Sequence, residues 1–321
     1  MKTAYFPIFA TLMWLFGALK SDAQGFLPGA IVINFPNGTV QNLEPKLQVY
    51  APDGSLLRTF TGGNAPWTGA SVTPEGRLVT TYYNGSPDLH GVELFSPNGG
   101  VTSIATPNVV LGGRDVSVFA NGVLAISDPS FFGGPQIRFY NQDGSFLGST
   151  SVSGADGSTV GGDNILYVAS VTGLQIGKLS EDGTYLGSFT TTFSPSDLVM
   201  SPIDGTLWVA DASGNNIVHT TVNGVVLGSF PIGLTGGFYG IGISPDGHSL
   251  YATTTSSSLV RQFDLNGNQL NQFSISNSSG PLFMSVVPAI PEPSTGTMLA
   301  TGSLVFSSLW RRFRPSLPKS P

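Results

Sequence analysis

The sequence contains no cysteine, only three histidines, and charged side chains at just 10% of its 321 residues. Without cysteine, disulfide bridges and thiolate metal sites are both excluded. The HExxH, GxSxG and GxxxxGK patterns of zinc hydrolases, serine hydrolases and nucleotide-binding loops are also missing. These absences remove the commonest catalytic signatures and leave packing as the main source of stability.

Turn-forming residues are abundant. The chain has 42 glycines and 23 prolines, and 40% of its residues are hydrophobic. This combination is typical of a chain with many tight turns and enough apolar material for a core. It favours an all-β fold built from many short strands.

The part of the chain between the two terminal segments described below is acidic. Between Gln24 and Ile290 there are seven Lys and Arg against 17 Asp and Glu, a net charge near −10. Nucleic acid requires a basic surface, so it is not expected as a partner. An acidic exterior suits solubility, cations or cationic partners instead.

The N-terminus has the layout of a secretory signal peptide. Lys2 precedes an apolar stretch over residues 4 to 19, and small residues follow up to Ala23. This pattern predicts export through the Sec machinery with cleavage between Ala23 and Gln24. A retained N-terminal membrane helix is the alternative, although the apolar stretch is shorter than the roughly 20 residues of a membrane span.

A repeat runs along the body of the chain. Six copies of a motif such as "IRFYNQDGSFLGST" begin 45, 45, 39, 41 and 43 residues apart. Each copy has an apolar alternation around Asp-Gly or Asn-Gly, the sequence signal of a β-hairpin. The copies start at Leu47, Val92, Ile137, Ile176, Ile217 and Val260.

A second hairpin lies between successive copies, which gives one four-stranded sheet per repeat, the unit of a β-propeller blade. The two ends of the repeat region complement each other. A strand at 283–287 is predicted to complete a blade with strands at 30–35, 47–51 and 55–60. The prediction is a six-bladed propeller over residues 24–288, closed by pairing of its termini. A pair of β-sandwiches is the rival architecture, but it does not explain the regular period.

The segments "GIGISPDGHSLYATT…VRQFDLNGN" and "DLVMSPIDGTLWVAD…IVHTTVNG" resemble NHL-type repeats of six-bladed, TolB-like propellers. The resemblance covers about residues 29 to 288 and implies the propeller fold. It does not select a function, because such propellers include lactonases, lyases and binding modules.

Five aspartates are predicted to meet at one mouth of the channel. Three lie at equivalent positions 41 residues apart where inner strands begin, and two end second strands. Gathered oxygen ligands suit Ca²⁺ or a polar ligand such as a sugar. Alternatively, aspartates at strand ends accept backbone hydrogen bonds and shape the turns. The five residues are Asp115, Asp156, Asp197, Asp128 and Asp211.

No catalytic constellation is evident. His90, His219 and His248 fall in separate contexts without a nearby nucleophile, and no glutamate is found for a lactonase-type metal set at the mouth. Aromatic residues near the loops between blades, such as Trp67 and Phe238, could contact a polysaccharide or a surface protein as partner. Ordinary packing between blades is the alternative that we favour for them. The favoured hypothesis is a non-catalytic binding or structural module. The alternative is a propeller-type hydrolase or lyase, lactonase-like, with a Ca²⁺-dependent site.

The chain ends in "IPEPSTGTMLATGSLVFSSLWRRFR" and a short tail. The uncharged residues 296 to 310 would form about 22 Å of helix, and the following arginines are expected on the cytoplasmic side. Residues 289–321 resemble the PEP-CTERM sorting signal of bacterial exported proteins. That resemblance implies an exosortase-type membrane protease, transient attachment to the inner membrane and delivery to the cell surface or extracellular matrix. A plain C-terminal anchor is the alternative. The sorting residues are Pro291, Glu292, Pro293, Arg311, Arg312 and Arg314.

Overall fold

The structure is a computed structural model with 24 β-strands in its described part. It describes residues 26–35, 46–61, 67–83, 90–106, 114–128, 134–275 and 283–289. The strands are β1 (Ile31–Phe35), β2 (Lys46–Tyr50), β3 (Leu56–Thr61), β4 (Trp67–Val72), β5 (Leu78–Tyr83), β6 (His90–Phe95), β7 (Val101–Ala105), β8 (Asp115–Val118), β9 (Leu124–Asp128), β10 (Gln136–Tyr140), β11 (Phe146–Ser151), β12 (Ala155–Val160), β13 (Leu166–Ser170), β14 (Gln175–Leu179), β15 (Tyr185–Thr190), β16 (Pro195–Met200), β17 (Leu207–Asp211), β18 (Asn216–Thr220), β19 (Val226–Pro231), β20 (Phe238–Ile243), β21 (Ser249–Thr254), β22 (Leu259–Asp264), β23 (Gln269–Ser274) and β24 (Met284–Val286).

These strands form six antiparallel four-stranded sheets, the blades of a propeller. We number the blades by their outermost strand, so blade 1 ends with β3, blade 2 with β7, and blades 3 to 6 with β11, β15, β19 and β23. The inner strands β4, β8, β12, β16, β20 and β24 contact one another in that order, and β24 contacts β4. The ring is therefore closed, and the predicted six-bladed propeller is confirmed.

Blade 1 combines both ends of the described body, in the order β24-β1-β2-β3. In the register of this blade, Ile31 lies opposite Val286 and Ile33 opposite Met284. Two further backbone hydrogen bonds, each 2.8 Å long, run from Gly29 N to Val287 O and from Val287 N to Ala30 O. The closure predicted from the complementary ends is thus observed, within two residues of the expected strand bounds.

The direction of the strands gives the ring two distinct ends. Each inner strand begins at the end that we call the mouth, and both hairpin turns of a blade lie at the opposite end, the turn face. Residues 26–30 lead into β1 at the turn face, and residues 287–289 leave β24 there. The described body therefore begins and ends at the turn face.

Apolar side chains pack between neighbouring blades. In one such layer, Val79 and Leu94 of blade 2 meet Val116, Ile126 and Tyr140 of blade 3. Strand residues alternate between the two faces of each sheet, so both faces of a blade contribute to the core. The long apolar runs of the second strands follow from this two-sided burial.

The Asp-Gly and Asn-Gly turns fix the spacing of the blades as well as the hairpins. Gly224 of blade 5 has φ +88°, and a Cβ atom there would lie 2.5 Å from the Phe189 ring of blade 4. Gly267 of blade 6 has φ +85° and is equally close to the Phe230 ring of blade 5. Only glycine combines the positive φ with this close approach.

Both terminal signals lie outside the described residues: the signal peptide at residues 1 to 23 and the sorting residues between Pro291 and Arg314. By its contacts, the chain divides into the units Met1–Pro288 and Ala289–Pro321. Within the described ranges, no helix has the length and apolar character needed to cross a membrane.

Candidate functional site

Three of the five predicted aspartates meet at the mouth. Asp115 begins β8, and Asp156 and Asp197 lie near the starts of β12 and β16, the next two inner strands. All three side chains are buried. Small residues let the inner strands approach closely here, because a Cβ atom at Gly69 or Gly157 would collide with the backbone of the neighbouring inner strand.

Asp115 links blade 3 to blade 4. Its Oδ2 accepts hydrogen bonds from Ser158 N at 2.7 Å and from Ser158 Oγ at 3.0 Å. The Ser158 hydroxyl also lies 2.9 Å from Ser117 Oγ. The carboxyl group thus bonds to a backbone N–H of an inner strand, directly after the bulge between Ala155 and Ser158.

Asp197 makes the equivalent link from blade 5 to blade 6. Its Oδ2 accepts a hydrogen bond from Ile241 N at 3.1 Å, and its Oδ1 accepts one from Leu198 N at 2.8 Å. The bulge in β20 lies between Phe238 and Gly240, beside the donating N–H of Ile241. Both carboxylates therefore satisfy irregular inner-strand backbone on the next blade.

Asp156 differs because it pairs with a side chain. Its Oδ1 accepts a hydrogen bond from Arg114 Nη1 of the preceding blade. The Arg114 side chain is 49% exposed, so its guanidinium is accessible to solvent while its partner Asp156 is buried. Three carboxyl groups and one guanidinium thus form a mostly buried ionisable cluster at the mouth.

The burial of these carboxyl groups changes their protonation. Burial raises the pKa of Asp115 to about 7, in spite of the hydrogen bonds from Ser158 that favour its charged form. Burial also raises the pKa of Asp197 well above its usual range, and the charges of Asp115 and Asp156 act in the same direction. For Asp156, burial outweighs the attraction of Arg114, so its pKa is raised too.

The structure differs from the expectation for Asp128 and Asp211. Asp115 lies opposite Ser127 in the sheet, so the adjacent Asp128 projects from the other face of the blade. There its Oδ2 accepts a hydrogen bond from Arg138 Nε at 2.7 Å, in an ion pair with almost no exposure. Asp128 therefore does not belong to the group of five carboxylates expected at the mouth.

Asp211 follows the same rule in blade 5. Asp197 lies opposite Ala210, so Asp211 projects from the other face. Its Oδ1 accepts hydrogen bonds from Ser213 N at 2.9 Å and Ser213 Oγ at 2.6 Å, which close the turn after β17. This contact is the turn-shaping role that aspartates commonly have at strand ends.

Among the described residues, no three or more Asp, Glu, His or Cys side chains are arranged to hold a metal ion. Asp115 Oδ2 and both oxygen atoms of Asp197 accept hydrogen bonds from backbone N–H groups. The Ca²⁺ site stays a prediction from the sequence, without a coordinating group in this part of the chain.

The described histidine side chains lie away from the mouth. His219 is in β18, stacked on the Trp208 ring at 3.9 Å, with its Nε2 2.8 Å from Thr206 Oγ1. Burial lowers the pKa of His219. His248 lies in a turn at the turn face, as expected. Of the aromatic residues named above, Phe238 is fully buried between blades, while the Trp67 side chain lies outside the description.

Two partners in the cluster were missed from the sequence. Arg114 precedes Asp115 directly and pairs with Asp156 of the next blade, a contact between blades that the repeat pattern does not reveal. Ser158, which donates to Asp115, directly follows a bulge in β12 that the sequence does not reveal. The available signal was a serine two residues after Gly69, Asp115 and Asp156, at Ser71, Ser117 and Ser158.

Comparison with known proteins gives no matching family and no similar curated protein. Solved structures with the same fold are found. The crystal structure of a nidogen/laminin complex includes a chain with 14% identity and a TM-score of 0.64, over 80% of this chain and 98% of that chain. A streptogramin B lyase structure has 15% identity and a TM-score of 0.57, over 80% and 91%. A catalytically inactive histidine-to-alanine variant of virginiamycin B lyase from Staphylococcus aureus, with quinupristin, has 19% identity and a TM-score of 0.52, over 64% and 69%.

Fold and site together define the class. The chain is an all-β, six-bladed propeller in which both ends of the body complete one blade, and the fold implied by the resemblance to NHL-type repeats is confirmed. At these identities the similarity is one of fold, and function has to be argued from the residues.

Proposed function

We propose that this protein is an exported propeller that acts as a non-catalytic binding or structural module at the cell surface or in the extracellular matrix. One observation carries the proposal. The polar groups gathered at the mouth already bond to the chain itself, with Asp115 and Asp197 held by backbone N–H groups of the next blade. A carboxylate used to join blades is a poor general base, because it has to stay in place to hold the ring.

Delivery to the surface is the second part of the proposal. The signal peptide with cleavage between Ala23 and Gln24 and the Pro-Glu-Pro, apolar and Arg-rich C-terminal segment support export and handling by an exosortase-type protease. Every strand of the described ring ends by Val286, so processing after residue 289 would cut no blade. A polysaccharide or another surface protein is the proposed partner class.

Mass spectrometry of the mature protein tests the delivery. We expect a chain that begins at Gln24 and has lost the arginine cluster. A surface-exposed chain that still ends at Pro321 would make the C-terminal segment a permanent anchor.

A lyase is the second candidate. It is favoured by the buried carboxyl cluster at a channel mouth, since a pKa of about 7 for Asp115 suits proton transfer at neutral pH. The fold is also similar to that of streptogramin B lyase. The histidines argue against a lyase. The virginiamycin B lyase variant in which a histidine is replaced by alanine is catalytically inactive, whereas neither described histidine of this chain lies near the mouth.

Incubation with quinupristin and a panel of lactones and polysaccharides, followed by mass spectrometry, separates the two candidates. The binding-module proposal expects intact substrates. Turnover that is lost in Asp115→Asn would replace it with a lyase or hydrolase at the mouth.

A further inference from the structure

The outermost strands of the blades share an irregularity at the turn face. In five blades the register shifts just after the hairpin turn, which leaves one extra residue on the outermost strand. In every case the extra residue is a leucine. We call these residues the bulge leucines: Leu57, Leu147, Leu186, Leu227 and Leu270.

The bulge leucines are exposed at 45 to 55% of their surface. The residue before each bulge leucine is often apolar and exposed as well, as with Phe146 and Tyr185. Blade 2 lacks the bulge, and Thr102 stands at the corresponding place. Single exposed apolar residues are ordinary, but here the same exposed side chain recurs at the same bulge in five blades. We call this set of five bulge leucines the apolar rim.

Exposed large apolar residues are rare elsewhere on the described surface. Leu174, which lies at the mouth end, is one of three that do not follow an outer hairpin turn; Leu27 and Ile203 are the others. The apolar rim is therefore a property of the turn face and not of the surface in general.

The turn face is also strongly acidic. Among the described residues, the Lys and Arg side chains that bond to its turns are Arg58, Arg77 and Lys178. The acidic side chains in the described turns at this end number nine: Asp53, Glu75, Asp143, Asp163, Glu181, Asp182, Asp204, Asp246 and Asp264.

The acidic groups closest in sequence to the bulge leucines remain charged. Asp143 Oδ1 accepts hydrogen bonds from Ser145 N at 2.9 Å and Ser145 Oγ at 2.7 Å, and these bonds lower the pKa of Asp143. Asp53 and Asp182 occupy the same turn position and have lowered pKa values for the same kind of reason. Each of these anions stands four residues before a bulge leucine.

We propose that the apolar rim binds a cationic, amphipathic polypeptide segment, one that carries apolar side chains between lysines or arginines. Apolar contacts to the bulge leucines and charge pairs to the turn aspartates would act together. The bulges disturb the edges of the five sheets that carry them, so the contact at these blades uses side chains and not addition of a further strand. Repetition around the ring allows one segment, or several linked ones, to engage neighbouring blades with added avidity. This inference rests on the proposal that the propeller is a binding module.

In the test, the full chain is titrated into a fluorescent twelve-residue peptide of alternating leucine and lysine, and binding is measured by fluorescence anisotropy. The rim variant is Leu147→Ser/Leu186→Ser/Leu227→Ser, with Leu174→Ser as its matched control. We expect the rim variant to bind at least tenfold more weakly and the control to bind like wild type. Asp143→Asn/Asp182→Asn should weaken binding at low salt and have little effect in 0.5 M salt, where charge pairs are screened.

Two further peptides separate the contribution of apolar contacts to binding from the contribution of charge. Alternating serine and lysine, or leucine and glutamate, should bind at least tenfold more weakly than leucine and lysine. Equal affinity of the serine peptide, or wild-type affinity of the rim variant, would overturn the proposal. So would concentration-dependent self-association of the chain that the rim variant abolishes, since the occupant would then be a second copy. Flotation with phosphatidylcholine vesicles that depends on the bulge leucines would point to a lipid surface and would overturn it as well.

The experiments distinguish failure of the rim-binding proposal from failure of the proposed function. Peptide binding lost in Asp115→Asn/Asp197→Asn but kept in the rim variant would leave a binding module with its site at the mouth. Turnover of a lactone or of quinupristin would refute the non-catalytic function, whatever the result at the rim.

Discussion

At the scale of single residues, the mouth shows how a buried carboxyl group can be structural. Asp115 and Asp197 accept hydrogen bonds from backbone N–H groups on the next blade, in places where a bulge interrupts the regular pairing. An unpaired buried N–H costs about 1–3 kcal/mol. The two carboxyl groups therefore satisfy these backbone donors, at the cost of burying ionisable groups.

This cost predicts a pH dependence of stability. The unfolded state releases the Asp115 proton near pH 3.9, whereas the folded state keeps it until about pH 7. Between these values the folded state binds more protons, so stability falls as pH rises through the window. We expect the wild-type Tm to drop by about 5 °C between pH 5 and pH 8. Asp115→Asn/Asp197→Asn, which keeps an oxygen acceptor at both sites, should show a much smaller drop in thermal melts. A rise in the wild-type Tm over the same range would contradict this account.

The buried pair of Asp128 and Arg138 gives a second prediction at this scale. Both side chains are at least 90% buried, so Arg138→Met removes the cation beside a buried anion. We expect a loss of about 3–5 kcal/mol in the free energy of unfolding by urea denaturation. Asp128→Asn/Arg138→Met should recover part of that loss. If the free energy of unfolding of Arg138→Met lay within about 0.5 kcal/mol of the wild-type value, the pair would not be a structural link between strands.

At the scale of elements, the outer hairpin turns connect each blade to the preceding one. The turn glycines have a positive φ, and in four of the six blades the glycine lies against an aromatic ring of the preceding blade, as Gly224 does against Phe189. A single hairpin therefore contributes both a turn and a part of the packing between blades.

Gly224→Ala tests this double role. The new methyl group would meet the Phe189 ring and hold an unfavourable φ, which should cost about 1–3 kcal/mol or more. Gly228, in β19 of the same blade, has open space and no strained φ, so Gly228→Ala is the matched control and should be neutral or slightly stabilising. Equal urea denaturation midpoints for the two variants would contradict the packing role.

The elements were also the level at which the sequence was most informative. The Asp-Gly and Asn-Gly turns located every outer hairpin, because a positive φ limits the choice of residue at those positions. The grouping at the mouth was only partly predictable. Asp115 and Asp128 share an end of the ring, but a shift of one residue in the pairing reverses the face of a side chain. The bulges that expose the leucines were equally invisible, because they are set by pairing across strands.

At the scale of the whole molecule, the ring is held closed by a three-residue strand, Met284–Val286, paired with Ile31–Ile33. We expect a chain ending at Ala289 to melt like the full chain. A chain ending at Leu282 lacks β24, exposes the edge of β1 and should lose its cooperative transition in circular dichroism and elute as an expanded or aggregated species. Cooperative melting of the shorter chain would show that closure does not depend on this strand.

The central claim is that the carboxylates at the mouth join blades and do not form a ligand site. Thermal melting of the full chain with and without millimolar Ca²⁺, beside Asp115→Asn/Asp197→Asn, tests it most directly. We predict no shift in Tm on adding Ca²⁺ to either protein. A site filled at a hundred times its Kd would add about 2.7 kcal/mol of stability. A clear Ca²⁺-dependent rise in the wild-type Tm that is absent from the variant would contradict the claim and make the mouth a metal site.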